Sequence, residues 1–202
     1  MIAAPGFAPG AGQGRNAHRH RRPSGLDQRA GQVIRAAISV GLLGLAALLA
    51  QESLTVRDFE VVLASHVIAL GGRVSTGHYG GSLAMVWFTE NAHERIGLVV
   101  TQECTVALLW IPFLVATALL VWQRVPVRRN LAGLAVVLVL LLCVNQFRFL
   151  VIAWFVLNMG YAGGYYWGHT LVGSIITVVG LAVSVAIFAM LTLRRTGSSP
   201  SR

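Results

Sequence analysis

Four long apolar runs constrain this chain more than any other feature: Val33–Ala50, Thr105–Trp122, Leu131–Leu157 and Leu171–Leu193. A helix needs about 20 mostly apolar residues to cross the hydrocarbon of a bilayer. Three of the runs read as spans outright, and Thr105–Trp122 is slightly short but uninterrupted by charge. Only 11% of the 202 residues are charged, against about 25% in an ordinary soluble domain. The sequence therefore predicts a chain solvated largely by lipid. Its expected class is an all-α multi-pass membrane protein with about four transmembrane helices.

Arginine sets the orientation. All sixteen basic residues are Arg, and twelve of them fall before or at the start of the first run, between the second and third, or after the fourth. In a four-span topology these regions share one side, which the positive-inside rule makes the cytoplasm. Six of the seven acids fall on the other side, Asp27 being the exception. The net charge of +9 thus calls for no nucleic-acid partner, and the arginine-rich segments lack the interleaved aromatics of a nucleic-acid surface.

Residues 1–32, rich in Gly, Ala, Pro and Arg, read as a disordered cytoplasmic tail. Residues 33–193 read as the membrane domain and 194–202 as a second cytoplasmic tail. The first run is expected to be an uncleaved anchor, because Leu48-Leu49-Ala50 lacks the small residue that opens a cleavage site. His18 and His20 belong to the composition of the tail.

The longest part outside the spans is Gln51–Glu103. Val56, Phe59, Leu63, Val67 and Leu70 recur at helical spacing. They predict an outer amphipathic helix whose opposite face carries Arg57, Asp58 and Glu60 and which Gly71-Gly72 ends. His66 reads as a packed interfacial histidine. Leu83–Phe88 and Ile96–Val100, joined by a polar turn with Asn91, His93, Glu94 and Arg95, predict a small β-hairpin-like element leading into Cys104.

Three reactive side chains converge on the outer side of this topology. Cys104 immediately precedes an apolar helix, where backbone dipoles favour a thiolate, although Glu103 opposes it. Arg148 interrupts the third run about 26 Å above Leu131. An arginine within a span is expensive and is normally functional or paired, with snorkelling to headgroups the alternative. Asn145 lies three residues earlier on the same face. His169, the side chain suited to proton transfer near neutrality, sits in the aromatic, glycine-rich outer loop Asn158–Thr170. Cys143, deep in the third run, reads as a buried structural cysteine, and a Cys104–Cys143 bridge requires close α-carbons. There is no C-x-x-C to suggest a disulfide oxidoreductase. His78 and His93 are isolated and no H-E-x-x-H is present, so neither metal nor cofactor is expected.

Cys104 at the start of one span, Asn145-x-x-Arg148 near the outer end of the next and His169 opening the last resemble the exosortase/archaeosortase family over roughly Glu52–Leu193. The resemblance implies a multi-pass membrane cysteine transpeptidase or protease that cleaves C-terminal sorting signals of exported proteins. Cys104 is then the nucleophile, His169 and Arg148 complete the site and Asn145 supports it. The implied partners are an exported protein with a membrane-anchored C-terminal signal, the lipid bilayer, and water or an amine, lipid-linked or not, as acceptor. Two features depart from the family pattern. Thr105-Val106 follow the cysteine where Ser-Gly is common, and larger members have more spans. The competing readings are a catalytically inactive relative and a small membrane transporter or assembly subunit, although the spans are almost bare of the midplane polar residues a transporter would use.

Overall fold

The computed structural model of the protein describes residues 25–51, 53–70, 75–80, 83–89 and 96–193. Five α-helices and a small sheet follow one another along the chain: α1 (Gly25–Gln51), α2 (Ser53–Ala69), β1 (Ser75–Tyr79), β2 (Met85–Thr89), β3 (Ile96–Val99), α3 (Val106–Trp122), α4 (Val127–Tyr165) and α5 (Gly173–Leu193). The helical runs expected from apolar length are all present. Arg29–Gln51 and the helical stretch Val127–Leu193 are long and apolar enough to cross a membrane, and α3 is a shorter apolar helix. Residues 1–24 and 194–202, Gly71-Gly72 and the polar turn from Asn91 to Arg95 lie outside the described residues, whereas residues 25–32, expected within a disordered tail, form the start of α1.

Contacts between helices fix an up-and-down arrangement. Ser39 of α1 donates to the Ala118 carbonyl of α3, and Trp110 of α3 donates to the Leu138 carbonyl of α4. Gly133 lies against Thr192 and Gly180 against Val144, so α5 runs antiparallel to α4. A Cβ on Gly180 would sit 2.5 Å from a Val144 methyl, a separation that only glycine permits. Buried residues from α1, α3, α4 and α5 form the main core, including Ala46, Leu114, Val137 and Leu141. Within it Phe113 and Phe188 meet edge to face at 5.5 Å, a favoured arrangement of ring quadrupoles.

The outer surface of this bundle is apolar. Val40, Val139 and Val178 are 67%, 62% and 66% exposed, and such an exterior suits a lipid solvent. The same fact corrects the reading of Cys143, which lies exposed on α4 rather than buried, with both cysteines free. The middle of an apolar run is the middle of a bilayer-facing surface as readily as of a core.

The β element has three strands where two were expected. They form an antiparallel sheet in the order β1-β2-β3. β1, Ser-Thr-Gly-His-Tyr, has no apolar alternation to announce it. It pairs because Gly77, opposite Trp87, leaves room for the indole: a Cβ there would collide with the ring. The inward side chains Val86, Phe88 and Leu98 pack on Ile68 of α2 and on Ile152, Ala153 and Val156 of α4. The sheet therefore caps the end of the bundle where α3 begins.

Helix α2 presents a different face from the one its periodicity suggested. Glu60, Val61, Ala64, Ser65 and Ile68 are buried, whereas Phe59 is 54% and Leu70 86% exposed. Asn158–Thr170 is likewise not a loop. Helix α4 continues through it, broken only at Gly160 (φ +75°), and passes into a π-helical turn, Tyr166–Val172, that leads directly into α5.

Candidate functional site

Cys104 closes a short 3-10 turn, Gln102–Cys104, and the next residue, Thr105, is the N-cap of α3. The Thr105 hydroxyl accepts from the Ala107 N–H, which satisfies one of the orphan donors of a helix start. The thiol thus stands at the positive end of a helix dipole, as its sequence position suggested. It is 7% exposed, packed among Val61, Ala64, Ala84, Val100 and Phe149. The Glu103 side chain lies outside the described residues.

His169 and Arg148 arrive from other elements. The π-helical turn places His169 Nε2 3.1 Å from Cys104 Sγ. Arg148, on the inward face of α4 and only 8% exposed, places Nη2 3.9 Å from Sγ and 3.2 Å from His169 Nε2. It does not snorkel. The three side chains singled out from the sequence, 65 and 21 residues from His169, converge on one point.

The guanidinium constrains the histidine's tautomer. It can only donate, so a neutral His169 receives the Arg148 hydrogen bond on Nε2 and carries its own proton on Nδ1. The single Nε2 lone pair then faces both the Arg148 N–H and the thiol, so general-base action on the thiol would require giving up the Arg148 hydrogen bond. Tyr165 stacks on the imidazole, with centroids 4.9 Å apart and planes 9° from parallel, and Tyr161 stacks in turn on Tyr165. These rings, expected only as an interfacial belt, hold the plane of the histidine. Thr101 adds a hydroxyl donor 3.4 Å from Sγ.

Glycine makes room for the arginine. A Cβ on Gly173 would lie 3.1 Å from Arg148 Nε and 2.7 Å from the Gly168 carbonyl. Arg148 Nε has no hydrogen-bond partner, so the buried guanidinium retains donor capacity beyond its contacts with the thiol and the imidazole.

Beneath the thiol lies a group the sequence reading assigned to a solvent face. Glu60 of α2 is fully buried. Its Oε2 accepts from the Thr105 hydroxyl at 2.6 Å, and its Oε1 accepts from the Val106 N–H at 2.9 Å and from Asn145 Nδ2. Asn145 Nδ2 also donates to the Cys104 carbonyl at 3.1 Å. One carboxyl therefore ties α2, the start of α3 and the middle of α4 together directly under the nucleophile. Burial pushes the Glu60 carboxyl above its ordinary pKa, against the opposing pull of Thr105, the Val106 N–H, Asn145 and the Arg148 charge. A cue did exist: an acid between Phe59 and Val61, one turn before the small residues Ala64 and Ser65.

The remaining histidines stand apart. His66 is exposed and its Nδ1 lies 2.7 Å from the Val62 carbonyl of its own helix. His78 is exposed on β1, and His93 lies outside the described residues. Comparison of the chain with protein-family models, with curated proteins and with solved structures gives no match.

Proposed function

We propose that this protein is a membrane-embedded cysteine transpeptidase or protease of the exosortase/archaeosortase kind. The observation that carries the reading is the Cys104–His169–Arg148 cluster, with an Sγ to Nε2 separation of 3.1 Å. A thiol facing the unprotonated nitrogen of an oriented imidazole, with a guanidinium beside both, is the arrangement of an activated nucleophile.

The reaction follows from those atoms. Sγ attacks a substrate carbonyl carbon as Nε2 takes the thiol proton. The imidazolium that forms repels Arg148, which turns its N–H toward the carbonyl oxygen as negative charge develops there. One well-placed donor of this kind is worth about 3–4 kcal/mol. Collapse breaks the C–N bond, Nε2 returns the proton to the leaving amine, and a thioester on Cys104 remains. Water or an acceptor amine then releases the acyl group and restores the thiol.

On this reading α1, α3, α4 and α5 cross the membrane and the site faces the extracytoplasmic side. The substrate is an exported protein whose C-terminal sorting signal is itself anchored in the bilayer. An apolar groove of about 530 Å³ between α4 and α5 supports lateral approach. Phe147 and Ile175, among the residues that line it, lie next to Arg148 and two residues beyond Gly173. The departure at Thr105 bears on the start of α3 and on Glu60 and leaves the thiol's own partners in place.

The test is processing of a C-terminally anchored exported protein in cells expressing the full chain. Cys104→Ala abolishes cleavage and leaves membrane insertion and abundance unchanged. A Cys104→Ala protein that still turns over at the full rate contradicts the mechanism.

A further inference from the structure

At the opposite end of α3, about 25 Å from Cys104 along the helix axis, a cleft of about 480 Å³ opens between α1 and α3. Its described lining is Gln32, Val33, Arg35 and Ala36 from α1 with Trp122 and Arg124 from the end of α3. The volume falls within the ordinary range of ligand sites, about 300–1,000 Å³. Two guanidiniums, an amide and an indole line it, with no acid among the described lining residues. Arg35 is half-buried, and Trp122 is 67% exposed.

The backbone at Arg124 supplies a second, independent observation. Helix α3 ends in a Schellman motif: the Arg124 N–H bonds to the Val121 carbonyl and the Val125 N–H to the Leu120 carbonyl. The residue after the C-cap of such a motif is left-handed and is usually Gly. Here it is Arg124, with φ +68°, the non-glycine residue at positive φ among those described. An arginine is held where glycine would relax the backbone, and its side chain lines the cleft.

We infer that this cleft is a binding site for a phosphate-bearing anion, with the diester headgroup of an anionic phospholipid in the arginine-rich leaflet as its ligand. Arg35 and Arg124 would clasp the phosphate oxygens with charge-assisted hydrogen bonds, for which the guanidinium fork is suited. Trp122 would sit at headgroup depth, where indoles concentrate, and the acyl chains would lie along the exposed apolar side of α1. The site is separate from the chemistry at Cys104 and rests only on the membrane reading of the chain.

The test uses the full-length protein purified in dodecyl maltoside micelles, with the thermal unfolding midpoint followed during titration with dioctanoyl phosphatidylglycerol. Dioctanoyl phosphatidylcholine and inorganic phosphate are run in parallel on wild type, Arg35→Gln and Arg124→Gly. Phosphatidylglycerol is expected to raise the wild-type midpoint saturably and phosphatidylcholine much less. Arg35→Gln should weaken the response at least tenfold. Arg124→Gly should start from a higher ligand-free midpoint, because its backbone strain is relieved, and should lose the response. That opposite pair of shifts separates loss of binding from loss of fold. Equal saturable stabilisation by inorganic phosphate, lost in both variants, supports the site with a soluble phosphate compound as its source. A response of equal size in wild type and both variants, an equal response to phosphatidylcholine, or no response at all overturns the inference.

Discussion

At the scale of single residues, Glu60 and Arg148 are the two charged residues buried among those described, and their partners lie on either side of Cys104. Glu60 satisfies three donors that hold the start of α3 and Asn145 in place. Glu60→Leu leaves those donors buried and unpaired, at a cost of about 3 kcal/mol or more. Glu60→Gln keeps acceptors for most of them and should be tolerated near neutral pH, a difference that thermal unfolding in micelles will resolve. The sign of the pH dependence follows from the raised pKa. A carboxyl that binds its proton more tightly folded than unfolded stabilises the fold fully below the ordinary carboxylate range. That contribution is lost as pH rises through the raised value. Wild type should therefore lose stability across that window and Glu60→Gln should not, and parallel profiles for the two proteins would contradict the assignment. For Arg148 the expectation is kinetic. Arg148→Lys keeps the charge but loses the planar fork, and kcat/KM for cleavage should fall by about 10²–10³ with abundance unchanged.

At the scale of elements, glycine positions decide how closely α4 and α5 meet. Gly180→Ala drives a Cβ into Val144 and should destabilise the protein by about 1–3 kcal/mol. Gly163→Ala meets nothing within 4 Å and serves as the matched control in the same unfolding experiment. Gly173→Ala touches Arg148 itself, so it should lower activity more than its effect on stability would suggest. The helices were legible because apolar length is a statement about solvent, and solvent sets where they lie. Which face turns inward was not legible. In α2 Phe59 and Leu70 of the expected stripe are exposed and Val56, Leu63 and Val67 only half-buried, while the buried side holds Glu60 and Ser65 beside Val61, Ala64 and Ile68. A rule that sends hydrophobic residues to the core fails where the exterior is also apolar, and Cys143 was misplaced for the same reason. β1 escaped because its pairing depends on a glycine fitting beneath Trp87 rather than on alternation. The helical run through Asn158–Thr170 escaped because its glycines and aromatics read as loop residues.

At the scale of the whole molecule, the antiparallel bundle sorts five of the described arginines to the end opposite the Cys104 thiol, while Arg57 and Arg148 lie at the thiol's own end. Arg29, Arg35, Arg124, Arg128 and Arg129 gather where α1 and α4 begin and α3 ends, and Cys104 lies where α3 begins. The proposed topology places a Tyr79→Cys reporter, introduced at an exposed site on β1 into a Cys104→Ala, Cys143→Ser background, outside the cell. A membrane-impermeant thiol reagent should label it in intact cells, and labelling only after lysis would invert the topology. The convergence of Cys104, Arg148 and His169 was legible in advance because each is anomalous for its setting: a thiol before a helix, a cation within a span and a histidine among aromatics. Glu60, hidden among ordinary-looking helix charges, was not. The proposed mechanism requires that His169 activate Cys104. The most direct measurement is the iodoacetamide alkylation rate of Cys104 at pH 7 in the Cys143→Ser protein, with and without His169→Ala. Alkylation should be rapid and should fall on the order of tenfold or more when the imidazole is removed. A rate unchanged by His169→Ala would contradict the mechanism.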